Sequence, residues 1–134
     1  MNITILTLFP QMFEGPFEHS IIGRAIKKGI LTITHINIRN FATDSYKTVD
    51  DTPYGGGVGM IMKVDVIDRA LKYAKNLYPT IKPHTILLEA ATKLYKESDA
   101  LKLAKNEQHL VLIAGHYEGV DARVRQLADE TFSV

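Results

Sequence analysis

The chain has 134 residues, of which 46% are hydrophobic and 23% charged, with 16 basic and 15 acidic side chains and a formal net charge of +1. That size and balance describe one globular domain with room for a core, and they exclude a disordered chain and the strongly basic make-up of a free-standing nucleic-acid clamp. Cysteine is absent, which excludes disulfides, thiolate nucleophiles and cysteine metal ligands and fits a reducing cytosol.

The charge is unevenly placed. Residues 1–62 balance, residues 63–106 carry nine basic and five acidic side chains, and residues 107–134 carry two basic and five acidic ones. A Lys-rich middle can face phosphate, although scattered solvated lysines explain it as well. No apolar run approaches the ~20 residues of a membrane span, and the start lacks the basic and apolar regions of a signal peptide. The expectation is a cytoplasmic domain with no membrane contact.

Residues 3–9 alternate and are β-rich, so they predict a strand that ends at Pro10. Phe17, Ile21, Ile22, Ala25 and Ile26 fall at helical spacing, with Arg24, Lys27 and Lys28 on the other face and Gly29 as a C-cap. Residues 31–38 alternate again and predict a second strand. Residues 39–60 lose all periodicity and predict a long loop, a feature that is usually functional or disordered. Val64, Ile67, Ala70, Leu71, Ala74 and Leu77 space a second amphipathic helix. Residues 85–88 read as a buried strand, and residues 97–105 as a short helix with Ala100, Leu101 and Ala104 inward. Residues 110–114 form a continuous apolar run, as in a parallel strand covered on both faces. Val120, Val124 and Leu127 space a last helix, and residues 131–134 begin a further strand. This alternation predicts an α/β domain with a mainly parallel sheet flanked by helices. Ligands of such sheets sit beyond the carboxyl ends of strands, which directs attention to residues 88–91 and 114–119.

Two glycine-bearing stretches stand out. Pro53-Tyr54-Gly55-Gly56-Gly57-Val58-Gly59-Met60 has neither the Gly-Lys-Ser/Thr ending of a P-loop nor the spacing of a dinucleotide fingerprint. A tightly turned loop is the plainer reading, and Asp50 and Asp51 just upstream either order around a substrate or solvate the loop. The second stretch, Gly115-His116-Tyr117-Glu118-Gly119-Val120-Asp121, follows a buried strand. Gly115 and Gly119 allow close backbone approach to a ligand, Glu118 can accept hydrogen bonds, and Tyr117 offers an aromatic face. A plain turn with Glu118 or Asp121 favouring a helix N-terminus accounts for the same residues. The five histidines show no metal-ligand spacing, so no metal site is expected. No serine has a nucleophile-elbow context. Phe9, Phe13 and Phe17 read as core.

Four stretches resemble one family, the bacterial tRNA (guanine-N1)-methyltransferases of the SPOUT, or α/β-knot, class. They are Leu6-Thr7-Leu8-Phe9-Pro10-Gln11-Met12-Phe13, Gly23-Arg24-Ala25-Ile26-Lys27-Lys28-Gly29, Thr48 through Met60, and Gly115 through Asp121, together spanning almost the whole chain in the family's order. The resemblance implies methyl transfer from S-adenosylmethionine to N1 of guanosine 37 in tRNA, by a homodimer with each site at the subunit interface. It implies a SPOUT-like fold in which three loops hold the donor bent: Glu89-Ala90-Ala91-Thr92, then Gly115, Tyr117, Glu118 and Gly119, then a loop that begins at Ser133 and Val134. It places Asp50, Asp51, Pro53, Tyr54, Gly55, Gly56, Gly57 and Gly59 near the partner's site and the RNA. The first loop has neither the proline nor the glycine of the family's usual Ser-Pro-Gln-Gly, and the second reads Asp121-Ala122-Arg123 where Asp-Glu-Arg is usual.

The family's catalytic aspartate and assisting arginine lie beyond the segment that matches Val134. Residues 1–134 are therefore expected to be a cofactor-binding domain ahead of a third loop, a linker and an RNA-binding domain, with no catalytic residue of its own, inactive alone, its knot incomplete and its apolar edges exposed. The chemistry implied is displacement at a sulfonium methyl, with a base taking the N1 proton, in-line positioning and a positive charge near O6. Two other readings stay open: a SPOUT methyltransferase for another RNA position, and a non-enzymatic oligomerising or RNA-binding domain of this fold.

Overall fold

The computed structural model describes residues 1–52, 60–116 and 119–134. Pro53, Tyr54, Gly55, Gly56, Gly57, Val58 and Gly59, and likewise Tyr117 and Glu118, lie outside the described residues.

The alternating and apolar runs become strands β1 (Asn2–Thr7), β2 (Thr32–Asn37), β5 (His84–Leu94), β6 (His109–Ala114) and β7 (Glu130–Ser133) of one sheet. Its order is β2-β1-β6-β5-β7, and every neighbouring pair is parallel. Between β2 and the first long helix, β3 (Asp50–Asp51) and β4 (Ile61–Met62) pair antiparallel and carry the glycine-rich loop between them. Helices α1 (Ser20–Lys27), α2 (Val64–Lys75) and α3 (Glu97–Asn106) flank the main sheet. The mainly parallel α/β sheet expected from the sequence is present.

The spacing read for α2 is the face it buries. Ile67, Ala70, Leu71 and Ala74, joined by Val66, pack with Leu6, Leu87, Val111 and Ile113 of the sheet and with Met62 and Val124. Each Val, Leu, Ile or Met side chain among them contributes about 1.5–3 kcal/mol on burial, and each alanine about 0.8 kcal/mol. The opposite sheet face holds a smaller cluster of Ile86, Leu103, Leu110 and Phe132. Gly29 ends α1 as expected: it sits at φ 72°, and Ile30 N–H reaches back to the Ala25 carbonyl, the left-handed cap that glycine tolerates.

Several expectations are corrected. The helix read through Val120, Val124 and Leu127 is a 3-10 helix over Ala122–Leu127, not an α-helix: Val124 N–H reaches the Asp121 carbonyl and Ala128 N–H the Arg125 carbonyl, each three residues back, and the Asp121 side chain caps the start by accepting the Arg123 N–H. In α3 the buried residue is Leu103, while Leu101 is 65% exposed; Asp99, which accepts the Lys96 N–H and pairs with Lys93, orients the helix. The isoleucine face of α1 is not core: Gly23 is the buried residue of this helix, and Ile21 is 73% exposed. Phe13 and Phe17 are half-buried, stacked with His35 of β2 rather than packed inside. The strand read at 85–88 runs on to Leu94, through a break described below.

Candidate functional site

β5 and β6 are neighbours, with Leu88 paired to Ala114 at their carboxyl ends. Beyond that pair the two chains part, and a cleft of about 320 Å³ opens between them. Leu88, Glu89 and Ala90 line one wall, and Gly115, His116, Gly119 and Val120 the other. Its size falls in the range of small-molecule sites, and its place is where parallel sheets bind ligands.

The first wall is made by an interruption of β5. Leu88 and Lys93 both take Phe132 of β7 as partner, so residues 89–92 stand out of the ladder as an extended bulge. Within it Ala91 adopts φ 60°, a conformation costly for a residue with a Cβ. The Thr92 hydroxyl donates to the Glu89 carbonyl at 2.8 Å and closes the excursion on itself. Glu89 Oε2 accepts from Arg125 Nε at 2.6 Å.

The second wall depends on two glycines. A Cβ at Gly115 would meet Val120 Cγ1 at 3.2 Å, and Gly119 sits at φ 126°. Both therefore favour the absence of a side chain. This wall is stitched to the hairpin that carries the glycine-rich loop: Met62 N–H donates to the Gly119 carbonyl at 3.1 Å, and Asp121 N–H to the Met62 carbonyl at 3.0 Å. Behind it Asp121, nearly buried, accepts from Arg123 Nε at 3.0 Å and Nη2 at 2.7 Å. The Arg123 guanidinium holds the Asp121 carboxyl below the usual carboxylate range. The His116 ring meets Phe9 edge-on at 4.8 Å between centroids.

Of the expected donor-binding residues, the structure brings Glu89, Ala90, Gly115 and Gly119 into one cleft. Ala91 is exposed on the same excursion. Ser133 lies at the end of β7, where its carbonyl accepts the Tyr95 N–H at 2.9 Å. Val134 lines a separate apolar hollow of about 250 Å³ beside Tyr95 and Phe132, on the α3 side of the sheet. Asp50 and Asp51 sit on β3, paired with Met62 and Ile61. Tyr117, Glu118, Pro53, Tyr54, Gly55, Gly56, Gly57 and Gly59 fall outside the described residues. Arg125 and Met62 were not legible as site residues, since their contacts join segments tens of residues apart and leave no periodic trace. Among the described residues no group of three or more His, Asp or Glu is placed to hold a metal ion, and no helix is long and apolar enough to cross a membrane.

A model of the family described as tRNA (Guanine-1)-methyltransferase TrmD matches residues 1–134. Similar curated proteins include the tRNA (guanine-N(1)-)-methyltransferases of Carboxydothermus hydrogenoformans, 48% identical over 100% of this chain and 51% of that protein, and of Geobacter metallireducens, 48% identical over 100% of this chain and 54% of that protein. The chain thus spans about half the length of these relatives. The crystal structure of a tRNA (m1G37) methyltransferase from Aquifex aeolicus superposes with a TM-score of 0.88 at 34% identity, over 100% of this chain and 59% of that one.

Proposed function

This chain belongs to the tRNA (Guanine-1)-methyltransferase TrmD family, and from that premise we propose that its protein transfers a methyl group from S-adenosylmethionine to N1 of guanosine 37 in tRNA. Residues 1–134 form the donor-binding domain of a cytoplasmic homodimer. The observation that carries the reading is the cleft at the carboxyl ends of β5 and β6, in a chain that matches the family along its whole length.

The residues fit such a donor. Gly115 and Gly119 let backbone approach it, the Glu89 carboxylate offers an acceptor to an amine or hydroxyl, and the walls are partly apolar. Tyr117 and Glu118 complete the second wall in this reading, and Ser133 and Val134 begin the third loop. When bound, the donor supplies an electrophilic methyl on sulfur. The chain's part is to hold that methyl in line with the attacking nitrogen and to keep water away. Asp50, Asp51 and the loop from Pro53 through Tyr54, Gly55, Gly56, Gly57 and Gly59 face the RNA and the partner subunit. Because the second wall and the β3–β4 pair share backbone hydrogen bonds through Met62, the donor side and the RNA side of the site are tied together by two separate segments of chain.

Calorimetry with S-adenosylhomocysteine tests the donor site. Binding that Gly115→Val weakens by about tenfold or more is expected, since the added side chain enters the cleft wall at a contact already 3.2 Å for its Cβ alone. Absence of binding, or binding indifferent to Gly115, refutes the donor reading. Methyl transfer by the whole protein of which residues 1–134 are the donor-binding domain, to transcripts carrying guanosine or adenosine at position 37, tests the substrate, and measurable transfer that is equal to both refutes the guanine assignment.

A further inference from the structure

The excursion of β5 has little backbone support. Residues 89–92 leave the β5–β7 ladder, Ala91 sits at φ 60°, and no proline stiffens the segment. What holds it is side-chain chemistry. Thr92 Oγ1 ties the excursion to its own Glu89 carbonyl, which fixes its internal shape but not its place. Its place is fixed from the other wall: Arg125, on the 3-10 helix that follows Gly119 and Asp121, donates Nε to Glu89 Oε2 at 2.6 Å. Glu89 lines the cleft, whereas Arg125 stands behind it.

We propose that Arg125 is a positioning residue for the methyl donor: through Glu89 it holds the 89–92 excursion at the separation from Gly115 and Gly119 that receives the donor, so that donor affinity is set in part by an ion pair and falls as salt screens it. The proposal rests on the donor reading of the cleft. The Glu89 side chain is 17% exposed and that of Arg125 55%, so the pair is reachable by counterions. Pairs of this kind change global stability little. Their effect is felt where the element they hold is itself marginal, and a four-residue bulge outside the ladder is such an element. A charge-assisted N–H···O at this distance also has directional preference, which fixes a position better than a distant charge does. Donor affinity then reports the pair while the melting temperature does not.

The experiment measures S-adenosylhomocysteine affinity of the whole chain by calorimetry. This probe has no net charge but does carry a charged amine and carboxylate, so at each salt level Arg125→Gln reports what salt does to the probe's own contacts, and the difference from the unmodified protein isolates the ion pair. Five proteins are compared at about 20 mM and about 1 M salt, where the Debye length falls from ~20 Å to ~3 Å: unmodified, Arg125→Gln, Arg125→Lys, Glu89→Gln, and Arg125→Gln with Glu89→Gln. At low salt Arg125→Gln should bind about threefold more weakly, Arg125→Lys should recover most of the loss, and the double variant should match Glu89→Gln alone. At high salt the unmodified protein should fall to the level of Arg125→Gln. Thermal melts of all five should coincide within a few degrees. Equal affinity of the unmodified and Arg125→Gln proteins at low salt, or no recovery with lysine, overturns the proposal and leaves the donor reading standing. Failure of the unmodified chain to bind overturns both.

Discussion

Gly23 separates two physical arguments by sign. It lies inside α1, where replacing glycine by alanine ordinarily stabilises by about 1 kcal/mol. Here a Cβ would sit 2.4 Å from the Glu18 carbonyl oxygen and 2.6 Å from its carbon, where ordinary contact begins at 3.4 Å. Both atoms are backbone, so no rotamer change relieves the clash. The turn before the helix must move by roughly 1 Å, a shift a packed element resists. Moving it strains the Gly23 N–H to His19 carbonyl bond, now 3.2 Å, and the stacking of Phe17 on His35. Those losses, about 1 kcal/mol for the hydrogen bond and about 0.5–1.5 kcal/mol for the ring pair, add to about 1–3 kcal/mol of overpacking. After the propensity gain, Gly23→Ala should destabilise by about 1.5–4.5 kcal/mol. For a domain of this size that lowers the melting temperature by roughly 5–16 °C. Thermal denaturation followed by circular dichroism reads it directly. A melting temperature equal to or above that of the unmodified protein refutes the reasoning, because the helix would then be free of the turn that precedes it.

Acid should weaken the fold before the carboxylates titrate. His109 is fully buried, its Nε2 bonded to Thr4 Oγ1 at 2.9 Å, and desolvation pushes its pKa below the ordinary histidine value. The unfolded chain therefore binds a proton that the folded one resists. Stability is full above pH ~6.5 and is lost as pH falls from there toward the lowered folded value. Urea midpoints measured from pH 8 to 5 should fall, and His109→Gln should flatten the fall; an unchanged slope removes His109 as the cause. On the α3 face, Phe132 is 1% exposed, meets Tyr95 edge-on and pairs along β7 with the break in β5. Phe132→Ala should cost about 3–5 kcal/mol, read as the loss of urea stability, and a loss below about 1 kcal/mol would show that β7 contributes little to the core.

Most of the sheet was legible because its strands are long enough to carry their own pattern. The alternation from Ile3 and the apolar run from Leu110 each needed no partner to be recognised. α2 was legible for the same reason, since five of its residues face one core. α3 was not, because its orientation comes from Asp99 holding Lys96 and Lys93, contacts that no hydrophobic period encodes. α1 carried a convincing amphipathic pattern that the chain leaves largely in solvent, so periodicity reported a face without reporting what covers it. The phenylalanine stripe misled in the same way: Phe13 and Phe17 stack on His35 at the edge strand rather than fill the interior. At the cleft, the glycines at 115 and 119 announced themselves, since close backbone approach is a residue-level signal. The Glu89–Arg125 pair and the Met62 stitching did not, because each depends on how distant segments happen to meet in three dimensions.

The position of β1 sets the order in which the sheet can be completed. The earliest made of these five strands is not at an edge: Asn2 pairs with Thr32 on one side and with His109 on the other. Roughly 70 residues separate β2 from β6, so at ~5–20 residues per second the nascent β1 waits several seconds with one side open. A two-stranded parallel piece is not stable by itself, and its unpaired edge invites foreign strands. Closure arrives only when β6 slots between β1 and β5, which makes the sheet assemble from its middle late rather than from its start early. Any chain cut short before residue 109 forfeits the strand that joins the two halves.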